Sequence, residues 1–371
     1  MRLVLLFLST VLLAPISTAF ATSETDARAL IVNEFRFLMS KRDFAAVEKF
    51  YSPFLLPNIR TPSGIWKLSV VEGDMGNQFY NRQGSTYWAQ KEEFLTEWRM
   101  AFPKSTAAAI YAAEMYNIQA WDIRGSGMAN TVAEAKWPAV HQMAGKARKE
   151  LEQLGETGKR TPWWYSRMLE IALLANDGGV AERKAIALEG IKRHPGYYPI
   201  YFGAIYGLTP KWGGSYEEID RFIEGAVKNP ANKDGISLYA RAYWYLDQAQ
   251  TKGELFKLSK ARWPLMKPAF DDLLKRYSSA WNMSAYAYFA CQAEDYAVAE
   301  QLLNRLGNQL DLSAWSDRSG AEGAYNICKA NIEQQAMDPA ERKRLDEQAQ
   351  QDAKSAIESI KKRSQNKDLD L

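Results

Sequence analysis

Apolar residues recur at intervals of three and four positions along most of the chain, which is the period of an amphipathic α-helix. The segment EFRFLMSKRDFAAVEKFYSPFL carries such a stripe, and similar stripes run through TYWAQKEEFLTEWRMAF, AAAIYAAEMYNIQAW and ISLYARAYWYLDQA. We find no convincing run of the alternating pattern that is typical of a β-strand. Short breaks rich in Gly, Pro, Asn and Asp separate the stripes. The pattern therefore predicts an all-α protein.

Several helical segments also share a local sequence pattern. RDFAAVEKF at 42–50, EDYAVAEQL at 294–302 and SYEEIDRF at 215–222 each follow one helical segment and open another. The helix starts that define two consecutive hairpins lie near Trp163, Val180, Pro199 and Tyr216. Their spacing is close to the tetratricopeptide period of about 34 residues. We therefore expect a degenerate tetratricopeptide-like array of helical hairpins, an α-solenoid, with an elongated curved surface.

The N-terminus carries the pattern of an export signal. Arg2 precedes the apolar run LVLLFLSTVLLAPI, and an A-x-A site follows that ends at Ala21. This order predicts a secretory signal peptide at residues 1–21, cleaved after Ala21, although an uncleaved N-terminal anchor is the alternative. We expect a periplasmic or secreted bacterial protein with no integral membrane segment after cleavage.

Two further regions follow the signal peptide. Residues 22–337 are predicted to form the helical-hairpin domain, and residues 338–371 a charged C-terminal helix and tail. That last helix is predicted from a thin apolar stripe at four-residue steps, made by Leu345, Ala349, Ala353, Ile357 and Ile360.

Charge and cysteine content narrow the classes of function. The formal net charge of +3 lacks the strong basic surplus of a nucleic-acid-binding surface, so no nucleic-acid partner is expected. The two cysteines, Cys291 and Cys328, could pair in an exported chain or remain buried thiols. A disulfide closing this loop would stabilise the fold by roughly 3–4 kcal/mol in the chain-entropy model.

The stretch PKWGGSYEEIDRFI contains two glycines ahead of an amphipathic run. Gly213 and Gly214 can take positive φ and permit a sharp turn. Ser215 and Glu218 have the spacing of a capping box, in which the serine hydroxyl accepts from the Glu218 amide and the glutamate reaches back to the serine amide. Trp212 can fold onto the hairpin that it leaves. A phosphate loop is the alternative, but the stretch lacks the lysine that such a loop needs.

A second glycine-bearing stretch, AWDIRGSGMANTVAEAKW, has a similar layout. Thr131 and Glu134 are a second candidate capping box. Arg124 could hold a carboxylate or phosphate beside free amides at the helix start, or it could satisfy carbonyls at the preceding helix end or pair with an acid. The candidate binding residues are Arg124, Trp121, Trp212 and Trp164.

Constellations that identify an enzyme are scarce. The two histidines, His141 and His194, lie far apart, no metal-ligand spacing is present, and no G-x-S-x-G elbow occurs. Adjacent carboxylates on a helix point in different directions, which favours solvated faces for the pairs Glu92/Glu93, Glu217/Glu218 and Asp271/Asp272. We predict no catalytic residue, metal ligand or cofactor, and whether any catalysis occurs stays open.

Four segments in this order, AWDIRGSGMANTV, TPWWYSRMLEIAL, RHPGYYPIYFGAIYGLTPKWGGS and YFACQAEDYAVAEQLL, resemble an uncharacterised bacterial family, domain of unknown function 4034. The resemblance spans roughly residues 88–303, and its more specific elements are W-D-x-R-G-x-G and P-K-W-G-G-S. It implies a helical, repeat-like fold and brings no established activity or catalytic residue.

Two functions are compatible with these observations. The first is an exported binding or scaffold module that holds a protein or peptide partner on its concave face. The alternative is a protein that binds or cleaves a cell-wall glycan or another periplasmic polymer, with paired carboxylates and exposed aromatic rings. The abundance of aromatic residues, 12 Trp, 19 Tyr and 15 Phe, serves helix packing in the first case and sugar stacking in the second.

Overall fold

The structure is a computed structural model that describes residues 23–355 except 58, 80–83, 85, 176–178, 318, 339, 342, 345, 346, 349 and 353. The signal peptide and its cleavage site at Ala21 lie outside the described residues. So does the apolar stripe that predicts the last helix, formed by Leu345, Ala349, Ala353, Ile357 and Ile360.

The described residues form helices and contain no β-strand, which confirms the prediction of an all-α protein. An isolated antiparallel bridge joins Arg60 to Trp66. In chain order the α-helices are α1 (Glu24–Ser40), α2 (Phe44–Tyr51), α3 (Lys67–Asn77), α4 (Tyr87–Ala101), α5 (Thr106–Arg124), α6 (Trp137–Glu152), α7 (Gly155–Lys159), α8 (Pro162–Ile171), α9 (Gly179–Arg193), α10 (Tyr198–Gly207), α11 (Tyr216–Lys228), α12 (Ser237–Leu246), α13 (Leu255–Leu258), α14 (Trp263–Arg276), α15 (Ala280–Gln292), α16 (Tyr296–Leu306) and α17 (Ala321–Ala336).

From α8 onward, helices that are neighbours in sequence pack on each other. Contacts join α8 to α9 and α10, α11 and α14 to α12, and α15 to α14, α16 and α17. The helices α8 to α11 begin within one residue of their predicted starts. Residues at the helix ends explain why these starts could be predicted. Pro162 occupies the first turn of α8, where a missing N–H does no harm, and Ser215 caps α11.

The turns that open α2 and α16 are copies of each other. Arg42 and Glu294 both take positive φ, 55° and 59°, which is uncommon for residues other than glycine. The next residue in each turn, Asp43 or Asp295, is the N-cap and accepts from the amide three residues ahead, at 3.0 and 3.4 Å. The sequence similarity of segments 42–50 and 294–302 therefore corresponds to one shared hairpin turn.

The buried apolar residues form two large clusters. One packs helices from α1 to α12, and the other packs those from α10 to α17. Phe222 and Val227 of α11 contact both clusters, so the two cores are continuous along the chain. A disulfide between Cys291 and Cys328, with Cα atoms 5.6 Å apart, ties α17 to α15.

The segment before α3 packs across the C-terminal hairpins. The Ser63 carbonyl accepts from the Arg241 guanidinium of α12 and from the Asn282 amide of α15, the latter at 3.0 Å. The buried Glu24 carboxylate accepts from the Ser63 amide at 2.8 Å, which holds the loop in place. At Gly64, φ is +87° and the Tyr277 ring leaves no room for a side chain. The N-terminal segment therefore covers helices on which the sequence predicts an open surface.

Within the part of the chain that the structure describes, no helix is both long enough and apolar enough to cross a lipid bilayer.

Candidate functional site

An open groove lies where α3, α5 and α8 meet. It consists of two adjoining cavities of about 400 and 410 Å³. Both cavities are lined by Glu72, Trp121, Arg167 and Glu170, which therefore form the junction between them. We name each cavity after residues that line it and not the other. The aromatic cavity is lined by Phe202, Tyr206 and Tyr245, and the amide cavity by Asn77 and Asn117.

The junction is built on a single arginine. One terminal nitrogen of Arg167 lies 2.5 Å from the Glu114 carboxylate and 2.9 Å from the Glu170 carboxylate, and the other lies 2.9 Å from Glu72. We call these four residues the glutamate–arginine cluster. When fully ionised, its three carboxylates and one guanidinium carry a formal charge of −2. Glu72 and Glu114 are buried, whereas the Glu170 side chain is 40% exposed.

Glu72 joins α3 to α8 and to the residue that precedes α10. Besides Arg167, its carboxylate accepts from the Ser166 hydroxyl of α8 at 2.6 Å and from the Tyr197 hydroxyl just before α10. Burial raises the pKa of Glu72, while the charge of Arg167 and these hydrogen bonds act against that increase. Burial, together with the negative charge of Glu72, also holds the pKa of Tyr197 well above its ordinary value, so this phenol stays a neutral donor. Glu72 is therefore a structural anchor of the groove floor.

Glu170 is the member of the cluster that is most exposed to solvent, and the pKa of its carboxyl is raised. Burial raises the pKa of its carboxyl to about 7. The Arg167 guanidinium opposes this rise, and the neighbouring charges of Glu114 and Glu72 add to it. A carboxyl that titrates near pH 7 in an accessible groove is a feature of functional sites as well as of structural ion networks.

The aromatic cavity offers flat, partly accessible rings. Phe202 of α10 and Tyr245 of α12 stack in parallel, with ring centroids 4.4 Å apart and planes inclined by 5°. Tyr206 and Trp121 complete the wall, and all four rings are half-buried. Burial, followed by the charge of Glu170, raises the pKa of Tyr245, so its hydroxyl remains neutral beside the cluster. This wall can bind apolar groups and cations.

A residue in the wall of the amide cavity has a buried polar atom without a partner among the described residues. Asn117 of α5 is only 2% exposed, and its Oδ1 accepts no hydrogen bond from the described residues. A buried polar atom without a partner costs about 1–3 kcal/mol. Native proteins contain few such atoms, and each calls for a specific explanation.

Arg124, a candidate binding residue, occupies a separate cage. Its Cζ lies 5.3, 5.8 and 5.2 Å from the ring centroids of Trp121, Trp137 and Trp212. The side chain is 3% exposed and donates to the carbonyls of Gly125 and Gly127, at 2.9 and 3.0 Å. This is the arrangement in which arginine satisfies carbonyls at a helix end. We call Arg124 and these three tryptophans the Arg124 cage; it shares Trp121 with the groove.

Of the other candidate residues, Trp164 lies in the core, where its indole donates to the Leu151 carbonyl at 2.8 Å. Trp212 closes the Arg124 cage and makes an edge contact with Trp121, with ring centroids 5.8 Å apart. Trp121 is therefore the one predicted binding residue that the structure places at the groove.

The cap at Ser215 and the two glycines before it differ in detail from the prediction. The Ser215 hydroxyl accepts from the Glu218 amide at 3.2 Å, while the Glu218 carboxylate accepts from that hydroxyl and not from the serine amide. Gly213 takes φ +83°, but φ at Gly214 is not positive. Gly214 is required for a different reason, because a Cβ there would clash with the Leu208 carbonyl.

The predicted capping box of Thr131 and Glu134 does not form. The Thr131 hydroxyl donates to the Met128 carbonyl at 2.7 Å, and α6 starts only at Trp137 without a side-chain cap. Pro138 explains the late start. Proline lacks an N–H and is tolerated in the first turn of a helix but not in its interior.

The adjacent carboxylates and the histidines lie elsewhere, with local partners. Glu217 pairs with Lys260 at 2.8 Å, Asp272 pairs with Arg276 at 3.0 Å, and His194 contacts the Lys159 carbonyl at 3.1 Å. In the described ranges, no group of His, Cys, Asp and Glu side chains is arranged to hold a metal ion.

Sequence reasoning missed the three glutamates and the arginine of the cluster. Glu72, Glu114 and the i,i+3 pair of Arg167 and Glu170 come from three separate parts of the chain, and no short catalytic or ligand-binding motif includes them. The signal that could have found them is a lone carboxylate within an otherwise apolar helix, as at Glu114 in AAAIYAAEMYNIQAW and Glu170 in WWYSRMLEIALL. A charge in such a position needs a partner, which Arg167 supplies from another helix for Glu114 and from the same helix for Glu170.

Comparison of the chain with protein-family models, curated proteins and solved structures gives no match in any of the three.

Proposed function

We propose that the protein is an exported α-solenoid of tetratricopeptide-like hairpins that binds a peptide, or a segment of a partner protein, in the groove. The observation that carries this proposal is the glutamate–arginine cluster at the junction of two open cavities. Each cavity is within the range of about 300–1,000 Å³ found for ligand sites. Together they suit an extended ligand that crosses the cluster.

The hairpin and export parts of this proposal have their own support. The helix starts from α8 to α11, and the shared turn at Asp43 and Asp295, favour a repeat origin. The disulfide between Cys291 and Cys328 suits an oxidising compartment such as the periplasm. The apolar N-terminal run ending at Ala21 is the reason to place the protein there.

Membership of the family called domain of unknown function 4034 is part of the same proposal. Its two more specific segments contact each other, since Trp121 packs on Trp212 and the Lys211 ammonium lies 3.2 Å from the Ser126 carbonyl. Both segments contribute residues to the Arg124 cage, which supports a structural role for the two motifs.

The groove can be blocked without disturbing its charged residues. Gly73 of α3 lines the amide cavity, and a Cβ added there meets no atom within 4 Å. We expect Gly73→Phe to fill the cavity while the helix stays intact. Gly145 of α6 is also helical, exposed and free of neighbours within 4 Å, so Gly145→Phe is the matched control.

The test is selection of a phage-displayed random heptapeptide library on the purified mature chain. Enriched peptides should bind the parent chain and Gly145→Phe equally, and Gly73→Phe should lose their binding. Equal binding to all three proteins would place any peptide site outside the groove. Cell fractionation with mass measurement of the chain tests export, with Thr22 as the expected first residue.

Glycan binding or cleavage remains a second candidate because of one specific observation. The carboxylates of Glu114 and Glu170 both contact the same nitrogen of Arg167, beside the parallel rings of Phe202 and Tyr245. Glycosidases use two carboxyl groups and aromatic platforms. Turnover of soluble cell-wall glycan fragments by the purified chain, lost in Glu170→Gln, would favour this candidate over peptide binding.

A further inference from the structure

We propose that the groove recognises a lysine or arginine side chain of the bound peptide, with the cationic head seated at the glutamate–arginine cluster. This inference rests on the proposed function and specifies the chemistry of its ligand. Three separate features of the groove carry it: an excess of carboxylates, a buried acceptor without a partner, and a wall of aromatic rings.

The first feature is the charge balance. Arg167 supplies the guanidinium for all three carboxylates of the cluster, so two negative charges lack a cation among the described residues when every member is ionised. Glu170 makes its hydrogen bonds to Arg167 alone among the described residues, although a carboxylate can accept about four. Its side chain is 40% exposed at the junction. A cationic ligand would supply the missing charge, whereas a phosphate or another anion would be repelled.

The second feature is independent of charge. Asn117 Oδ1 lacks a hydrogen-bond donor although the residue is 98% buried in the wall of the amide cavity. Lysine and arginine heads are purely donors, with three and five N–H groups. A head at the junction can therefore donate to Glu170 and direct a further N–H towards the amide cavity.

The third feature suits the stem of such a side chain. Trp121, Tyr206 and Tyr245 line the approach to the cluster from the aromatic cavity. Lysine and arginine bury their aliphatic stems on apolar surfaces, and their heads are attracted to aromatic faces. The two cavities extend to both sides of the junction, which leaves space for residues that flank the cation. This extent favours a peptide over a free amine.

The first experiment uses the heptapeptides enriched in the selection described above. We expect lysine or arginine to be enriched at one position. Calorimetric titration should show that replacing this residue with norleucine, a neutral side chain, weakens binding by at least about tenfold. Raising the salt concentration should weaken binding of the cationic peptide more than binding of its norleucine counterpart.

The second experiment changes the protein. Glu170→Gln should lower the affinity for the cationic peptide by about tenfold and leave the affinity for the norleucine peptide unchanged. We choose Glu170 for substitution because Glu72 and Glu114 are buried and hold helices together, so changing either would also affect stability. The matched control is Glu217→Gln, which removes an exposed carboxylate that pairs with Lys260 outside the groove; it should bind both peptides as the parent chain does.

The outcomes separate this inference from the proposed function. Enriched peptides that lack a cationic residue but still fail to bind Gly73→Phe would overturn the inference and leave the peptide-binding proposal standing. Equal loss of both peptides in Glu170→Gln would also overturn it, since charge would not be the cause. If no peptide is enriched, the proposed function is wrong, and the inference that rests on it is overturned with it. Binding of 1,5-diaminopentane in the absence of any peptide binding would replace the peptide with a small amine.

Discussion

Two arginines with little exposed surface, Arg167 and Arg124, lie in very different surroundings. Arg167 lies among three carboxylates at an open groove, whereas Arg124 lies among three tryptophan rings and two backbone carbonyls in a closed cage. Arg124 precedes Gly125 and Gly127 in the W-D-x-R-G-x-G element, whereas Arg167 lies in TPWWYSRMLEIAL, a helical segment without such a specific element. Arg124, which has the clearer sequence signal, is thus the arginine that the fold buries away from solvent.

The difference lies in how each charge is balanced. In the described part of the chain no salt bridge is formed by Arg124, and its guanidinium lies against backbone carbonyls and aromatic ring faces. The glutamate–arginine cluster has the opposite imbalance, with more carboxylates than cations, and it stays open to solvent through Glu170. An accessible site with unbalanced charge can gain from binding a ligand, and a closed site with satisfied dipoles stabilises the fold. Three substitutions test this contrast.

The largest effect is expected for Arg167→Met. It removes the cation shared by Glu72, Glu114 and Glu170 and leaves buried carboxylates uncompensated, which typically costs about 3–5 kcal/mol. Denaturant unfolding at pH 7 measures the loss. Part of the stability should return near pH 5, because protonation neutralises the carboxyls. A loss that is small and independent of pH would show that the carboxylates do not depend on Arg167.

Arg124→Met should have a smaller effect, about 1–2 kcal/mol. The variant loses hydrogen bonds to the Gly125 and Gly127 carbonyls, but two guanidinium nitrogens of Arg124 have no partner to lose. Methionine fills most of the same volume. Denaturant unfolding followed by tryptophan fluorescence measures this loss of stability. Binding of an enriched peptide should be unchanged. Loss of peptide binding without loss of stability would instead make Arg124 a ligand residue.

The smallest effect is expected for Glu170→Gln. Because the folded pKa of Glu170 is raised from 4.5 to about 7, its protonated form stabilises the fold, and this contribution is lost as pH rises through 7. The groups that face it are Arg167, Glu114, Glu72 and Tyr245. The variant should therefore match the parent chain near pH 4 and exceed its stability above pH 7.

Solvent screening limits that gain, because the Glu170 side chain is 40% exposed. We expect less than about 1 kcal/mol at pH 8, measured as the difference between two pH profiles of unfolding free energy. A variant that is less stable than the parent chain at pH 8 would show that Glu170 is a stabilising partner of Arg167.

Local signals were enough to predict the helices and several of their ends. Apolar periodicity places the hairpins of α8 to α11, and the Ser215 hydroxyl caps α11 by accepting from the Glu218 amide only three residues ahead. The same local reasoning failed at Thr131, where Pro138 delays the helix, and at Gly214, where the constraint comes from a carbonyl six residues earlier.

The groove could not be predicted in this way. Its charged residues come from α3, α5 and α8, and nothing in the spacing of Glu72, Glu114 and Glu170 indicates that they share one arginine. The loop at Ser63, which packs on Arg241 and Asn282, likewise covers helices that the repeat pattern leaves open.

The amino-acid sequence by itself determined that this protein is helical, where many of its helices begin, and which glycine-rich stretches turn the chain. These features depend on interactions between residues a few positions apart. Only the tertiary structure decided which helical faces remain accessible and which buried charges meet. Those outcomes depend on contacts between residues dozens to hundreds of positions apart, and periodicity in one helix carries no information about its partner.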